Sequence, residues 1–213
     1  MSYLEMSLKD FIDVVDSNEP APGGGSVSAL ASTLGIALTR MMGSLAINKK
    51  KYNELDDIIK EEFTEKSKKL FKIREKLGKL IDEDTASFNQ LMTAYRLPKN
   101  TDDEKEFRKE EIQKATLYAT EIPFEVAKTS LEAMELFPFF SKYGNQNAIT
   151  DLGVGAMLLE TGIRGAILNV KINLGGLKDE AKVEKFKIDY EKIEEDATLL
   201  KENIMDYVNS QII

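Results

Sequence analysis

The chain has 213 residues, 42% hydrophobic and 31% charged, enough for one domain with a substantial core and too apolar for disorder. A net charge of −8 and a pI near 4.9 disfavour non-specific attraction to DNA or RNA, so no nucleic-acid partner is expected. The absence of cysteine excludes disulfides, thiolate nucleophiles and zinc–thiolate sites, and the absence of histidine removes the usual neutral-pH base and the commonest metal ligand.

The N-terminal MSYLEMSLKDF has no basic region followed by an apolar run, so no secretory leader is expected. Ser7 and Asp10 resemble a capping box opening a short helix to about residue 16, with Leu8, Phe11, Ile12 and Val15 on one face. Pro20-Ala21-Pro22-Gly23-Gly24-Gly25 reads as a turn, and a helix is predicted over 26–47. Residues 25–47 are long enough to span a membrane and carry one charge, Arg40. Their Ser, Thr, Ala and Gly content favours a buried central helix, and no membrane partner is expected. A long helix is predicted over 55–95, ending before Pro98, and Thr101 with Glu104 forms a capping box for a helix over 101–120. Pro123 marks a new start or a kink, the next helix running to Phe137 before Pro138. Gly144-Asn145-Gln146-Asn147 reads as a loop, an apolar helix follows over 148–173 until Gly175-Gly176, and a charged amphipathic helix is predicted over 179–208, with Val183, Phe186, Tyr190, Ile193, Ala197, Leu200, Ile204 and Tyr207 as its inward row. With no period-two alternation, repeat or linker, the fold class is all-α, a single-domain helical bundle of long helices over residues 1–213.

Acid–base chemistry without histidine falls to Asp, Glu, Lys or Tyr with a pKa moved by its surroundings. In the long helix the apolar row Leu70, Leu77, Ile81, Phe88, Leu91, Tyr95 includes Asp84, whereas Asp82 points elsewhere. A carboxylate in a core-facing row is either a satisfied structural group or one held with a raised pKa for chemistry. Gly23, Gly24, Gly25 and Ser26 open a helix whose free N–H groups can cradle an anion; equally, the glycines can serve close helix packing. The run is neither a P-loop nor a dinucleotide fingerprint. Lys49, Lys50 and Lys51, with Arg40 earlier, form a basic spot that suits an anionic ligand or simply complements a helix C-terminus. In the apolar helix, Asp151, Gly155, Gly162, Ala166, Asn169 and Asn173 share one small or polar face, suited to close packing or to the wall of a polar site. Two asparagines a turn apart can present paired donors and acceptors to a planar heterocycle.

Ordered stretches of the chain resemble the cyclodeaminase family, comprising the C-terminal domain of formiminotransferase-cyclodeaminase and stand-alone bacterial methenyltetrahydrofolate cyclohydrolases. They are Ala21-Pro-Gly-Gly-Gly-Ser-Val-Ser28, Lys49-Lys-Lys-Tyr52, Ile81-Asp-Glu-Asp-Thr-Ala-Ser-Phe88, Leu97-Pro-Lys-Asn-Thr101, Ile122-Pro123, Gly144-Asn-Gln-Asn147, Thr150-Asp151 and Leu168-Asn-Val-Lys-Ile-Asn-Leu174. Thr150 stands where serine is expected, keeping the hydroxyl.

The resemblance implies a cytoplasmic homodimer formed through helices, with folate sites near the subunit interface. It further implies Asp84 as the catalytic carboxylate with Asp82 close by, and Gly23, Gly24, Gly25, Lys50, Asn145 and Asp151 as folate-contacting residues. The lysine cluster would hold the glutamate tail of folate. The substrate would be a tetrahydrofolate derivative, with no resident cofactor and no metal. Two activities fit, hydrolysis of 5,10-methenyltetrahydrofolate and ammonia-releasing cyclisation of formiminotetrahydrofolate. A non-catalytic helical interaction module is the reading of a different class.

Overall fold

Local chemistry sets the helix boundaries in the computed structural model, which describes residues 2–212. The Ser7 hydroxyl accepts the Asp10 N–H and starts α1 (Leu8–Val15). After a turn through Pro20–Gly23, α2 (Gly24–Ser44) begins at the glycine run. It stops a little before the predicted end: the chain tightens, with the Ala46 and Ile47 N–H groups donating to the Gly43 and Ser44 carbonyls, and Asn48 beyond them adopts a left-handed conformation (φ 68°), which asparagine tolerates. The lysine cluster then forms a separate short helix, α3 (Lys50–Asn53), instead of the last turn of α2.

The predicted long helix is α4 (Asp57–Tyr95), and the predicted capping box of Thr101 and Glu104 forms at the start of α5 (Asp102–Met134). Here the expectation of two helices fails, because α5 passes Pro123 unbroken. Pro138 lies at the start of α6 (Phe137–Tyr143), where a missing N–H costs nothing. The Gly144–Asn147 segment includes a single 3-10 turn, Gln146–Ala148, and leads into α7 (Ile149–Leu174). The last element is α8 (Glu180–Ile212), whose predicted inward row is buried at Tyr190, Ile193, Ala197 and Ile204. No strand occurs among the described residues, and one large core cluster draws on α1, α2 and α4 to α8.

α2 and α7 form the most extensive contact, side by side and antiparallel. Their seam is made of small residues. A Cβ on Gly35 would lie 2.6 Å from the Gly155 carbonyl oxygen, and one on Gly155 would lie 2.8 Å from that of Gly35. The glycines of the α7 face thus serve close packing. On its other side α2 packs antiparallel against α4, with Gly25 beside Asp84 at one end and Gly43 near Phe63 at the other. α5 packs on α4 and α7, and α8 covers α7 and α5.

A third face of α2 is uncovered and apolar: Val27, Leu34 and Met41 recur at heptad spacing and are 39%, 50% and 43% exposed. On α7, Val154, Met157, Leu168 and Ile172 are exposed as well. In α1 the four apolar residues share one face, as their spacing predicts, but only Phe11 is buried; Leu8, Ile12 and Val15 stay exposed beside Val27 and Leu30. No helix among the described residues is long and apolar enough to cross a membrane.

Candidate active site

The first turn of a helix carries N–H groups with no partner inside the helix. At the start of α2 that partner comes from α4. The Asp84 carboxylate reaches across and its Oδ2 accepts the Ser26 N–H at 2.8 Å and the Ser26 hydroxyl at 3.0 Å. Gly25 makes the approach possible, since a Cβ there would overlap the carboxylate. The anion cradled by the glycine-rich helix start is therefore a side chain of the protein itself.

Asp84 is half-buried, and burial pushes its carboxyl above the usual range, while the two Ser26 bonds pull it partly back. None of the ion pairs of the described residues includes Asp84, and Oδ1 receives no hydrogen bond from them. A carboxylate placed this way holds its proton more tightly than a free carboxyl and can meet a cationic ligand without first giving up a salt bridge.

Asp82 points away, as its spacing predicts. Its carboxylate accepts the Ser2 hydroxyl at 2.5 Å and the Tyr3 N–H at 2.7 Å, tying the N-terminal turn Tyr3–Glu5 onto α4. Asn169 lies beside Gly24, its amide nitrogen 3.1 Å from where a Gly24 Cβ would be, and donates to the Gly165 carbonyl. Gly24, Gly25, Ser26, Asp84 and Asn169 thus converge, and Gly23 adjoins them as the N-cap of α2. Asn173 sits one turn further along α7, where its Nδ2 donates to the Ala119 carbonyl of α5 at 2.7 Å.

The other candidates lie at the far end of α2. Lys49, Lys50, Lys51 and Asn145 line one cleft of about 570 Å³ together with Lys142, Tyr52, Tyr143, Gln146 and Tyr207. Asp151, in the first turn of α7, belongs to this end as well. Sequence reading missed Lys142 and Tyr207. Lys142 precedes the Gly144 loop, and Tyr207 sits within the inward row of α8. Arg40 joins neither group. Its guanidinium stacks 5.0 Å from the Phe71 ring, which Arg74 also covers, and burial followed by repulsion from Arg74 lowers its pKa.

α2 separates the two groups by about 30 Å, from its length and the helical rise. None of the principal clefts among the described residues is lined by Asp84. The largest of them, between α5 and α8 at about 860 Å³, contains none of the candidate catalytic or substrate-binding residues read from the sequence. The described residues hold no cluster of three or more Asp or Glu able to bind a metal.

Comparison with known proteins places these residues in a family. The chain is 37% identical over 206 residues to the methenyltetrahydrofolate cyclohydrolase of Methylorubrum extorquens, covering 97% of each chain. It is 33% identical over 184 residues to the formimidoyltransferase-cyclodeaminase of Rattus norvegicus, spanning 86% of this chain but 33% of that longer protein. The crystal structure of a formiminotetrahydrofolate cyclodeaminase from Thermotoga maritima shares the fold, with a TM-score of 0.78 at 24% identity, covering 98% of this chain and 96% of that one. The formiminotransferase-cyclodeaminase family model matches residues 7–192, so the chain belongs to that family.

Proposed function

We propose that the protein is a folate one-carbon enzyme, a methenyltetrahydrofolate cyclohydrolase that converts 5,10-methenyltetrahydrofolate to 10-formyltetrahydrofolate, with Asp84 as its catalytic carboxylate. The observation that carries this reading is the setting of Asp84: half-buried, raised in pKa, without a cationic partner, and anchored through one oxygen only. The substrate presents a cationic amidinium carbon bridging N5 and N10. The carboxylate stabilises that charge and accepts a proton as water adds to the carbon. Collapse of the adduct breaks the bond from carbon to N5, the proton returns to N5, and the second proton of the water leaves to solvent.

The same carboxylate would serve the runner-up reaction, in which N10 attacks the formimino carbon and the proton moves from N10 to the departing ammonia. Near-full-length similarity to a protein named for the hydrolysis favours the first. Measuring the methenyl absorbance separates them. Decay of the band from methenyltetrahydrofolate is the expected result. Growth of the band from formiminotetrahydrofolate with ammonia release would favour the deaminase, and neither change would favour a non-catalytic helical module. The enzyme would act in the cytoplasm on a tetrahydrofolate substrate without a resident cofactor.

The homodimer belongs to the same proposal. The lysine cleft and Asp84 of one protomer stand about 30 Å apart, more than the roughly 20 Å that ordinary bond lengths give a monoglutamyl folate. Two copies paired through the uncovered face of α2 about a two-fold axis perpendicular to that helix would run antiparallel, bringing each Asp84 towards the partner's lysine cleft. Burial of Val27, Leu34 and Met41 would supply the driving force.

A further inference from the structure

The buried hydroxyl of Ser26 faces more acceptors than it has hydrogens. Its side chain is fully buried. Its Oγ lies 2.8 Å from the Ile81 carbonyl oxygen, 3.0 Å from Asp84 Oδ2 and 3.4 Å from Thr85 Oγ1. One O–H donates once, while its oxygen can accept. The bond therefore has two settings, one towards Oδ2 and one towards the Ile81 carbonyl, and only the first favours an ionised Asp84.

We infer that Ser26 is the positioning residue of Asp84, holding Oδ2 through its N–H and hydroxyl so that Oδ1 alone exchanges the proton, with the hydroxyl turning between Oδ2 and the Ile81 carbonyl as the charge changes. With Asp84 ionised, both Ser26 donors point at Oδ2. With Asp84 protonated at Oδ1, the hydroxyl turns to the Ile81 carbonyl, and neither state leaves the O–H without an acceptor in a closed environment. Such a rotor lets a partly buried acid change protonation state with little movement of heavy atoms. It also assigns Ser26, first read as a substrate contact, a role that acts through Asp84, because its own side chain is sealed from solvent.

The surroundings leave Ser26 as the main polar influence. On α2 the first charge after the glycine run is Arg40, fifteen residues from Gly25 and stacked on Phe71. On α4, Asp82 is engaged by Ser2 and Tyr3, and Glu83 is exposed. On α7 the near side chain is the neutral Asn169, and Lys171 is paired with Glu194 of α8. On α5, Glu125 is paired with Lys76 and Lys128.

This inference rests on the proposed reaction only for its consequence in turnover, so the test has two independent readouts. The Asp84 carboxyl is titrated by carbon-13 NMR in the wild type, Ser26→Ala and Ser26→Gly, and the acid limb of kcat/KM is measured beside it. Loss of the hydroxyl removes a bond that favours the charged form, so the NMR midpoint should rise by about one pH unit, the scale of one hydrogen bond to a charged group. The acid limb should move up with it, and Ser26→Thr, which keeps the hydroxyl, should restore both. Glycine in the first turn next to Gly25 provides the second variant should alanine fold poorly. A wild-type midpoint in the folded variants would overturn the inference. A shifted midpoint in a protein that turns over neither folate would leave the inference standing and refute the reaction.

Discussion

Asn173 supplies the hydrogen-bond donor that Pro123 lacks. In an uninterrupted helix the N–H of residue 123 would bond the carbonyl of Ala119, and proline has none. The Asn173 amide reaches from α7 to that carbonyl at 2.7 Å, and α5 continues through the proline. Asn173→Leu should cost about 1–2 kcal/mol, the penalty of a buried acceptor left unpaired. In a Pro123→Ala background the backbone regains its own donor, so the same substitution should cost much less. Denaturant unfolding of the four proteins gives the coupling directly, and simple additivity of the two changes would contradict it.

Three adjacent glycines are predicted to differ. A Cβ on Gly25 overlaps the Asp84 carboxylate, whereas one on Gly24 meets only the mobile end of Asn169, and one on Gly23 has nothing nearer than the Pro20 carbonyl oxygen at 3.8 Å. Gly25→Ala should therefore expel Asp84 from the α2 N-terminus and lower kcat by at least the roughly hundredfold associated with a lost general base. Gly23→Ala should stay within about twofold of wild type. Equal activity in the two variants would remove the argument for the Gly25–Asp84 contact.

The helical class, the capping box at Thr101 and the inward row of α8 were legible because each is local and periodic. Asp84 was legible for the same reason, its place in the row from Leu70 to Leu91. What spacing along one helix does not carry is a partner on another. Ser26 as the ligand of Asp84, and Asn173 as the donor for Ala119, are separated by 58 and 54 residues along the chain. Pro123 reads as a new start or a kink because the donor that satisfies the Ala119 carbonyl in its place comes from α7. Arg40 grouped with the lysines in sequence, yet α2 ends at Ser44 and the chain beyond it carries the lysines into a different cleft from the Phe71 stack.

Charge removal in the lysine cleft should act on the length of the substrate's tail. Replacing Lys49, Lys50 and Lys51 with alanine removes three of the four lysines lining that cleft, leaving Lys142. The Michaelis constant should rise several-fold more for a polyglutamylated folate than for the monoglutamate, because added carboxylates lose more attraction. The difference should shrink as salt is raised. An equal rise for both substrates would mean that the lysines only maintain the fold of α3.

Asp84→Asn should separate stability from activity. A carboxyl whose folded pKa is raised binds its proton more tightly in the native state than in the unfolded chain, so the native state holds more protons between the two pKa values. Native stability then falls as pH rises through that window, and above it the charged Asp84 is a net burden on the fold. Asparagine removes the charge while its side-chain oxygen can still accept the Ser26 N–H. The variant should melt higher than wild type at neutral pH, with the gap closing at acidic pH where the wild-type carboxyl is protonated. Its turnover should drop by about a hundred- to ten-thousandfold, the contribution of a positioned general base. Asp82→Asn should instead leave turnover largely intact and loosen the N-terminal turn, since its carboxylate serves Ser2 and Tyr3. Melting curves across pH set beside kcat test both halves: an Asp84→Asn protein less stable than wild type at neutral pH would contradict the raised pKa, and full activity would contradict the catalytic assignment.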